Sequence, residues 1–326
     1  MRGFTVTETG PFTMVEALGR HGYFDQGIPP SGAMDPFALQ VGNLILKNPL
    51  DEAGVEMTIL GMEILFQSDE VFAVTGGECN VTVNQKEVPM WKAVKIEAGD
   101  VLKVGMVKKG CRSYLCIAGG IDVPVVLGSK STYTRGRLGG HRGRTLQAGD
   151  TLNVGVPRDS LDKIEGRAFD PQYVPVYDQS LTELRVMWGP QDDMLALEGR
   201  DDFVSKTWEM TPDSDRVGCR FTGVTLKFKE REKSPDQGPD YWNLVDDGIP
   251  VGGIQVPGGT VAICMAADVV NAGGFVKPAC LIAADQSRLA QLKPGSKVRF
   301  RPVDDDEAID ILRKQLELFN ESNVIF

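Results

Sequence analysis

Short apolar runs broken by glycine turns dominate this chain, and that rhythm restricts it to a mainly β fold. Runs of strand length occur at Val55–Leu60, Glu63–Gln67, Val71–Thr75, Asn80–Val83, Ala93–Ile96, Val101–Val104 and Ser113–Ala118. Their close spacing predicts a barrel or sandwich. One phrase recurs. Ala98-Gly99-Asp100-Val101-Leu102 returns as Ala148-Gly149-Asp150-Thr151-Leu152, with a looser echo at Pro294-Gly295-Ser296-Lys297-Val298. Each reads as a tight turn entering a strand. Helices are few. Asp35-Pro36 sets an N-cap carboxylate before a proline at the first helical position. Phe37, Val41, Leu44 and Ile45 then recur at helical spacing, and Asn48-Pro49 stops the run, which predicts a helix over 35–48. The acids Asp304 to Glu307 precede Ile309, Leu312, Leu316 and Phe319 and predict a terminal amphipathic helix.

At 326 residues the chain exceeds one ordinary core, so two lobes are expected. Pro157, Pro171 and Pro175, set amid charge with no periodicity, mark a boundary within 157–182. The expected organisation is a β-rich lobe at 1–165, a β-barrel lobe at 180–303, and a terminal helix and tail at 304–326. This is a β-rich α+β chain. The polar run Lys229–Asp240 reads as an exposed loop.

Charge and cysteine usage exclude several classes. A net charge of −10 argues against nucleic acid or an anionic membrane surface as partner. No apolar stretch approaches the ~18 residues of a membrane span, and Met1 to Thr7 lacks a signal peptide's apolar core. A cytoplasmic location is expected. The six cysteines form no C-x-x-C pair and are expected reduced and buried. With only His21 and His141, no metal site is expected. No G-x-S-x-G nucleophile elbow occurs.

Several loops carry residues suited to chemistry. In Gly27-Ile28-Pro29-Pro30-Ser31-Gly32-Ala33-Met34-Asp35, two prolines stiffen a turn that delivers Ser31 and Asp35 to a helix N-terminus. Asp35 has two readings, a cap alone or a wall of a site for an anionic ligand. The stretch Gly128 to Gly140 concentrates hydroxyls, cations and glycines, with spacing wrong for a Walker A loop. Its Ser131 and Tyr133 are candidate substrate contacts, and Arg135 and Arg137 are able to hold a carboxylate bidentately. Asp192 lies in the turn Gly189-Pro190-Gln191-Asp192-Asp193. Asp215 and Arg216 form either an ordinary ion pair or ligand contacts. Gln255 presents an amide suited to a ureide, Asp268 follows an apolar strand, and Lys277 ends a glycine loop where it can neutralise a transferred carboxylate.

These phrases occur together and in order. With Leu18-Gly19-Arg20, Glu56-Met57-Thr58, Thr75-Gly76, Tyr114–Asp122, Leu127–Arg135, Ser214–Arg220, Gly252–Pro257 and Gly273–Lys277, the chain resembles the biotin-dependent carboxyltransferase family over roughly residues 10 to 303. That family, also described as allophanate hydrolase subunit 2-like, includes the C-type subunit of 5-oxoprolinase. The resemblance implies two cyclophilin-like β-barrel lobes with few helices. It implies a smaller partner, the kinase-inhibitor-like B-type subunit, joined in bacterial 5-oxoprolinase by a third, A-type subunit. The implied reaction is ATP-driven opening of the 5-oxoproline lactam to glutamate, with ATP used at the level of the complex. Asp35, Arg135 and Lys277 are the expected catalytic groups. The urea carboxylase relative instead implies transfer of a carboxyl group from carboxybiotin to a urea-like or amide substrate. No A-M-K-M phrase occurs here, so biotin would arrive on another chain. A third member, of a different class, is a non-catalytic antagonist of a histidine-kinase inhibitor.

The chain also departs from its relatives. It reads Thr13-Met14-Val15-Glu16-Ala17 where they commonly read T-T-V-Q-D. Asp268 to Val276 keeps the aspartate and glycines of D-R-Q-T-T-G-G-Y-P without its Arg, Gln, Thr and Tyr. His141-Arg142-Gly143-Arg144 replaces a more acidic or aromatic phrase.

Overall fold

The computed structural model of the chain describes residues 2–177, 180–232 and 240–326. Residues 178–179 of the boundary stretch and 233–239 of the polar run lie outside the described residues. The chain forms two compact units. One comprises Met1–His21, Ser31–Asp178 and Leu316–Phe326, the other Gly22–Pro30 and Gln179–Gln315. The division is not linear in sequence, because apolar side chains far along the chain complete each core. Leu318, Phe319 and Val324 pack into the first unit, and Phe24 packs with Ile249 and Met265 in the second. The architecture is mainly β, with five α-helices among the described residues.

The first unit is built on a ten-stranded sheet. Two expected pairs of short strands are single long ones, Glu70–Val83 and Val101–Ile117. They run antiparallel from Phe72↔Ile117 to Val83↔Leu102, with shifts of register between Gly76 and Val81. Bulges of this kind bend a strand, so one long strand reads in sequence as two. Burial follows the same division. Leu102, Val104 and Val107 are buried between exposed Lys103, Met106 and Lys108, whereas Ser113 to Ile117 is buried throughout. Continuous burial means both faces are covered. One face packs Phe4, Val15, Val55, Met57, Phe66 and Leu115, and the other packs the helix Pro36–Ile45. A side chain at Gly42 would place its Cβ 2.7 Å from Cys116 Sγ, so glycine lets this helix approach the sheet. Asp35 caps the helix: its Oδ1 accepts from Ala38 N–H at 2.9 Å.

The repeated phrase is one turn used three times. Asp100 N–H donates to Glu97 O, Asp150 N–H to Gln147 O and Ser296 N–H to Lys293 O, at 3.1, 3.1 and 2.9 Å. Each closing side chain accepts from the first residue's N–H, and Gly99, Gly149 and Gly295 supply φ of 93, 92 and 86°. Asp150 does more. Arg144 grips it through two bonds of 2.7 and 2.8 Å, and His141 Nε2 lies 3.3 Å away. The Arg144 bond is the main reason its carboxyl falls from the usual 3.8 to about 2. A depressed carboxyl stabilises the fold above its unfolded pKa, and the contribution is lost as pH falls through the folded one. Asp150→Asn therefore costs about 2 kcal/mol at neutral pH. The gap from wild type closes between pH 3.8 and about 2 in a pH series of urea midpoints. A gap independent of pH would refute the charge-based account.

The second unit is a closed seven-stranded barrel. In order around it run Thr182–Trp188, Ala279–Leu281, Gly253–Gln255, Ala262–Met265, Gly218–Thr222, Trp208–Met210 and Lys297–Pro302. Parallel pairing of Thr182–Trp188 with Lys297–Pro302 closes it and removes the edges. Phe203 stacks on Phe300 at 4.8 Å, with Trp208 and Phe221 around them. A separate two-stranded antiparallel sheet pairs Asn243–Gly248 with Ala272–Phe275. The acidic run begins a helix as expected: Asp304 Oδ1 accepts from Glu307 N–H at 2.8 Å ahead of Asp305–Glu317. Among the described residues no helix is long and apolar enough to cross a membrane.

Candidate functional site

In the first unit the notable feature is a buried polar layer beneath the capped helix. Met14, Glu56 and Tyr114 are paired across three strands. Strand alternation places Glu16 and Arg112 on the same face. Glu16, Glu56 and Tyr114 have no exposed surface, and Arg112 is buried. Glu56 Oε2 accepts from Tyr114 OH at 2.6 Å and from Met34 N–H at 2.8 Å, and Arg112 Nε lies 3.8 Å from Oε1. The Tyr114 hydroxyl in turn accepts from Asp35 N–H at 2.8 Å. Burial first, and then the Glu56 charge, push the Tyr114 phenol well above its usual range, so it stays a donor. The end of the rigid Gly27–Asp35 segment is thus docked on an anionic layer.

Ser31 and Asp35 are both buried there. Ser31 holds φ 47°, and its Oγ has no hydrogen-bond partner among the described residues. A buried hydroxyl in left-handed backbone is a costly arrangement and a reasonable ligand contact. Asp35 serves the cap. Asp35→Asn keeps an acceptor for Ala38 and changes stability little, whereas Asp35→Ala costs about 1 kcal/mol. Thermal melts of the two variants check this, and equal losses would contradict the cap. Ser131 ties the loop inward: its Oγ accepts from Ala17 N–H at 3.0 Å, and Arg20 donates to its carbonyl. Tyr133 and Leu138 close a turn by two backbone bonds of 2.8 and 3.1 Å, and Arg135 stands exposed at its tip.

In the second unit several expected ligand contacts have structural partners. Arg216 forks onto Asp268 through bonds of 3.2 and 3.1 Å. Asp215 Oδ1 accepts from the N–H groups of Val217 and Gly218 and so shapes its own turn. Asp192 pairs with Arg200 at 2.9 Å, and that guanidinium lies 4.6 Å over Trp188. Gln255 and Lys277 differ. Both are buried, and Gln255 Nε2 has no acceptor among the described residues. That amide nitrogen borders Gly273, where an added Cβ would come within 2.7 Å. Gly273 is the register partner of Asp247, whose Oδ2 lies 3.0 Å from Lys277 Nζ. Gln191 braces the arrangement from two sides: its Nε2 donates to Asp247 Oδ2 at 3.0 Å and its Oε1 accepts from Lys277 N–H at 3.0 Å. The Lys277 bond holds the Asp247 carboxyl below its usual range. An ammonium and an amide N–H, both desolvated, are suited to a carbonyl oxygen that gains charge.

Asp35, Ser31, Ser131, Tyr133 and Arg135 thus belong to the first unit, and Asp192, Asp215, Arg216, Gln255, Asp268 and Lys277 to the second. Residue-level reasoning on the sequence passed over Glu56, Arg112, Tyr114, Gln191 and Asp247. The signals were a glutamate inside the apolar run Val55-Glu56-Met57 and a glutamine in the turn after Trp188. None of the six cysteines is in a disulfide, and burial lifts the Cys116 thiol to about 12, so that thiol is inert. Among the described residues no three His, Cys, Asp or Glu side chains are grouped to hold a metal ion.

Residues 26–302 match the family described as carboxyltransferase domain, subdomain A and B. The chain belongs to this family. It is 31% identical over 318 residues to the C-type subunit of 5-oxoprolinase from Escherichia coli, covering 97% of this chain and 96% of that protein. It is 34% identical to the urea amidolyase of Lachancea kluyveri over 92% of this chain, and there the carboxyltransferase-domain protein spans 17% of the relative's length. The crystal structure of the K. lactis urea amidolyase superposes with a TM-score of 0.92 at 30% identity, covering 98% of this chain and 20% of that one.

Proposed function

We propose that this carboxyltransferase-domain protein is one component of an ATP-dependent 5-oxoprolinase complex that opens the 5-oxoproline lactam to glutamate, together with its A-type and B-type partners. The observation that carries this reading is the buried donor pair of Gln255 and Lys277 beside Gly273 and Asp247. A lactam carbonyl gains negative charge as its ring opens, and two desolvated donors stabilise that charge. The near-complete coverage of both chains in the match to the C-type subunit of 5-oxoprolinase supports the lactam over other amides. In this reading ATP is handled by a partner chain.

A second reading, carboxyl transfer, is favoured by the close superposition on the urea amidolyase. Gln255 and Lys277 are donors that suit the carbonyl of biotin's ureido ring as well as that of a lactam. Bound carboxybiotin, carried on a separate chain, would supply the carboxyl group. Co-expression with homologues of the A-type and B-type partners, followed by an assay of ATP hydrolysis coupled to glutamate release from 5-oxoproline, separates the readings. Coupled turnover by the complex and none by the isolated chain is the expected result. Full turnover by the chain alone would remove the requirement for a complex. Avidin-sensitive, urea-dependent turnover would move the assignment to carboxyl transfer.

A further inference from the structure

The first unit contains a cavity of about 410 Å³ that the reaction proposed above does not use. It lies where the loop Arg137 to Gly143 meets Asp122 to Val126 and the strand Thr151–Val154. Its size is in the range of small-molecule sites. Its lining combines cationic and apolar side chains. Arg137, His141 and Arg142 line it together with Val123, Pro124 and Val126. Among the described residues neither Arg137 nor Arg142 has a carboxylate partner, although the chain as a whole carries a net charge of −10. The neighbouring Asp150 does not offset them, because Arg144 already holds both of its oxygens. Asp122 is the carboxylate of the lining, so the guanidiniums outnumber it.

The loop backbone is also closely constrained by sterics. Arg137 and Arg142 have φ of 52 and 60°, and Gly139, Gly140 and Gly143 have φ of 65, 51 and 66°. Arginine rarely adopts left-handed backbone. Side chains cannot replace the glycines: a Cβ at Gly139 would lie 2.1 Å from Ser131 O, and one at Gly143 would lie 2.3 Å from Arg137 O. The chain is folded so tightly on itself that the backbone carrying these two exposed arginines is sterically constrained. Gly139, His141 and Arg142, all on the lining, have backbone N–H groups with no protein acceptor among the described residues. Two guanidiniums and free N–H groups in left-handed turns form a recurring oxyanion-binding set.

We infer that this cavity is a binding site for a small organic phosphate, its phosphate held by Arg137 and Arg142 and its neutral body resting on Val123, Pro124 and Val126. A phosphate monoester dianion matches two guanidiniums in charge, and its tetrahedral oxygens accept from both forks and from backbone N–H groups together. The site is independent of the lactam reading, since it uses neither Lys277 nor Gln255.

The test is phosphorus NMR and calorimetric titration of the full chain with glycerol 3-phosphate at low ionic strength, with glycerol as the neutral control. Saturable binding of the phosphate alone is expected, weakening as salt is added. Arg137→Gln with Arg142→Gln is expected to weaken it at least ~10-fold. Arg313→Gln, the same charge change on an exposed helix face, is expected to leave it unaltered. An unchanged melting curve shows that the double variant still folds, and Arg142→Gln alone, with a smaller loss, serves if it does not. No binding by the wild-type chain, or equal binding by the double variant, overturns the site. Displacement of glycerol 3-phosphate by glutarate at lower concentration than by inorganic phosphate overturns the phosphate assignment.

Discussion

Lys277→Met lowers turnover of the assembled complex by about 100-fold or more, and the loss falls on kcat rather than KM. The reason lies in where the charge is held. The Lys277 side chain is 6% exposed, so its ammonium acts in a medium of low dielectric, where a donor to a developing oxyanion counts for most. Methionine keeps the length and apolar stem and removes the charge. The partner left behind, Asp247, is 51% exposed and returns to water, so the fold loses little. Gln191 still bridges Asp247 and the backbone of residue 277. A loss of activity with an unaltered melting curve and an intact complex is therefore the signature. Unchanged kcat, or a rise in KM alone, would remove Lys277 from the chemistry and leave it a binding contact.

Glu56→Gln destabilises the first unit by about 3 kcal/mol. Three groups converge on that carboxylate: the Met34 N–H, the Tyr114 hydroxyl and the Arg112 guanidinium. The amide keeps one acceptor and loses the negative charge beside a buried cation. It also presents an N–H2 to a site built of donors. Because Met34 and Asp35 both hang on the Glu56–Tyr114 pair, the damage reaches the rigid segment and the helix cap. Denaturant unfolding that follows the two units separately measures the effect, since a chain of two units need not unfold in one step. A loss below about 1 kcal/mol would mean that water reaches the layer or that the structure relaxes around it. The exposed pair of Glu8 and Lys103 is the contrast, where the same substitution matters little.

Much of this was legible from residues close in sequence. The strand rhythm, the capped helix after Asp35, the three Gly-Asp or Gly-Ser turns and the acidic start of the terminal helix all depend on neighbours within a few positions, and all are present. The ordered phrases also carried the family. What those phrases could not show was the use made of each residue. Asp215 and Arg216 read either as an ordinary ion pair or as ligand contacts, and in the fold Arg216 pairs with Asp268 while Asp215 accepts from its own turn. Glu56 read as part of a strand and proves to be the hub of a buried layer.

The tertiary structure alone decided those roles, because they rest on partners far apart in the chain. Met34 and Glu56 are 22 positions apart, Glu56 and Tyr114 are 58 apart, and Gln191 reaches Lys277 across 86. The two long bent strands and the interleaved make-up of the two units have the same origin. Turn chemistry and hydrophobic period are local properties, so sequence by itself determined the β architecture and the positions of its turns. Burial of a charge depends on which distant surfaces cover it. Only the folded chain could therefore determine that Lys277 and Gln255 lie desolvated beside Asp247 and Gly273, and that Arg137 and Arg142 line a cavity.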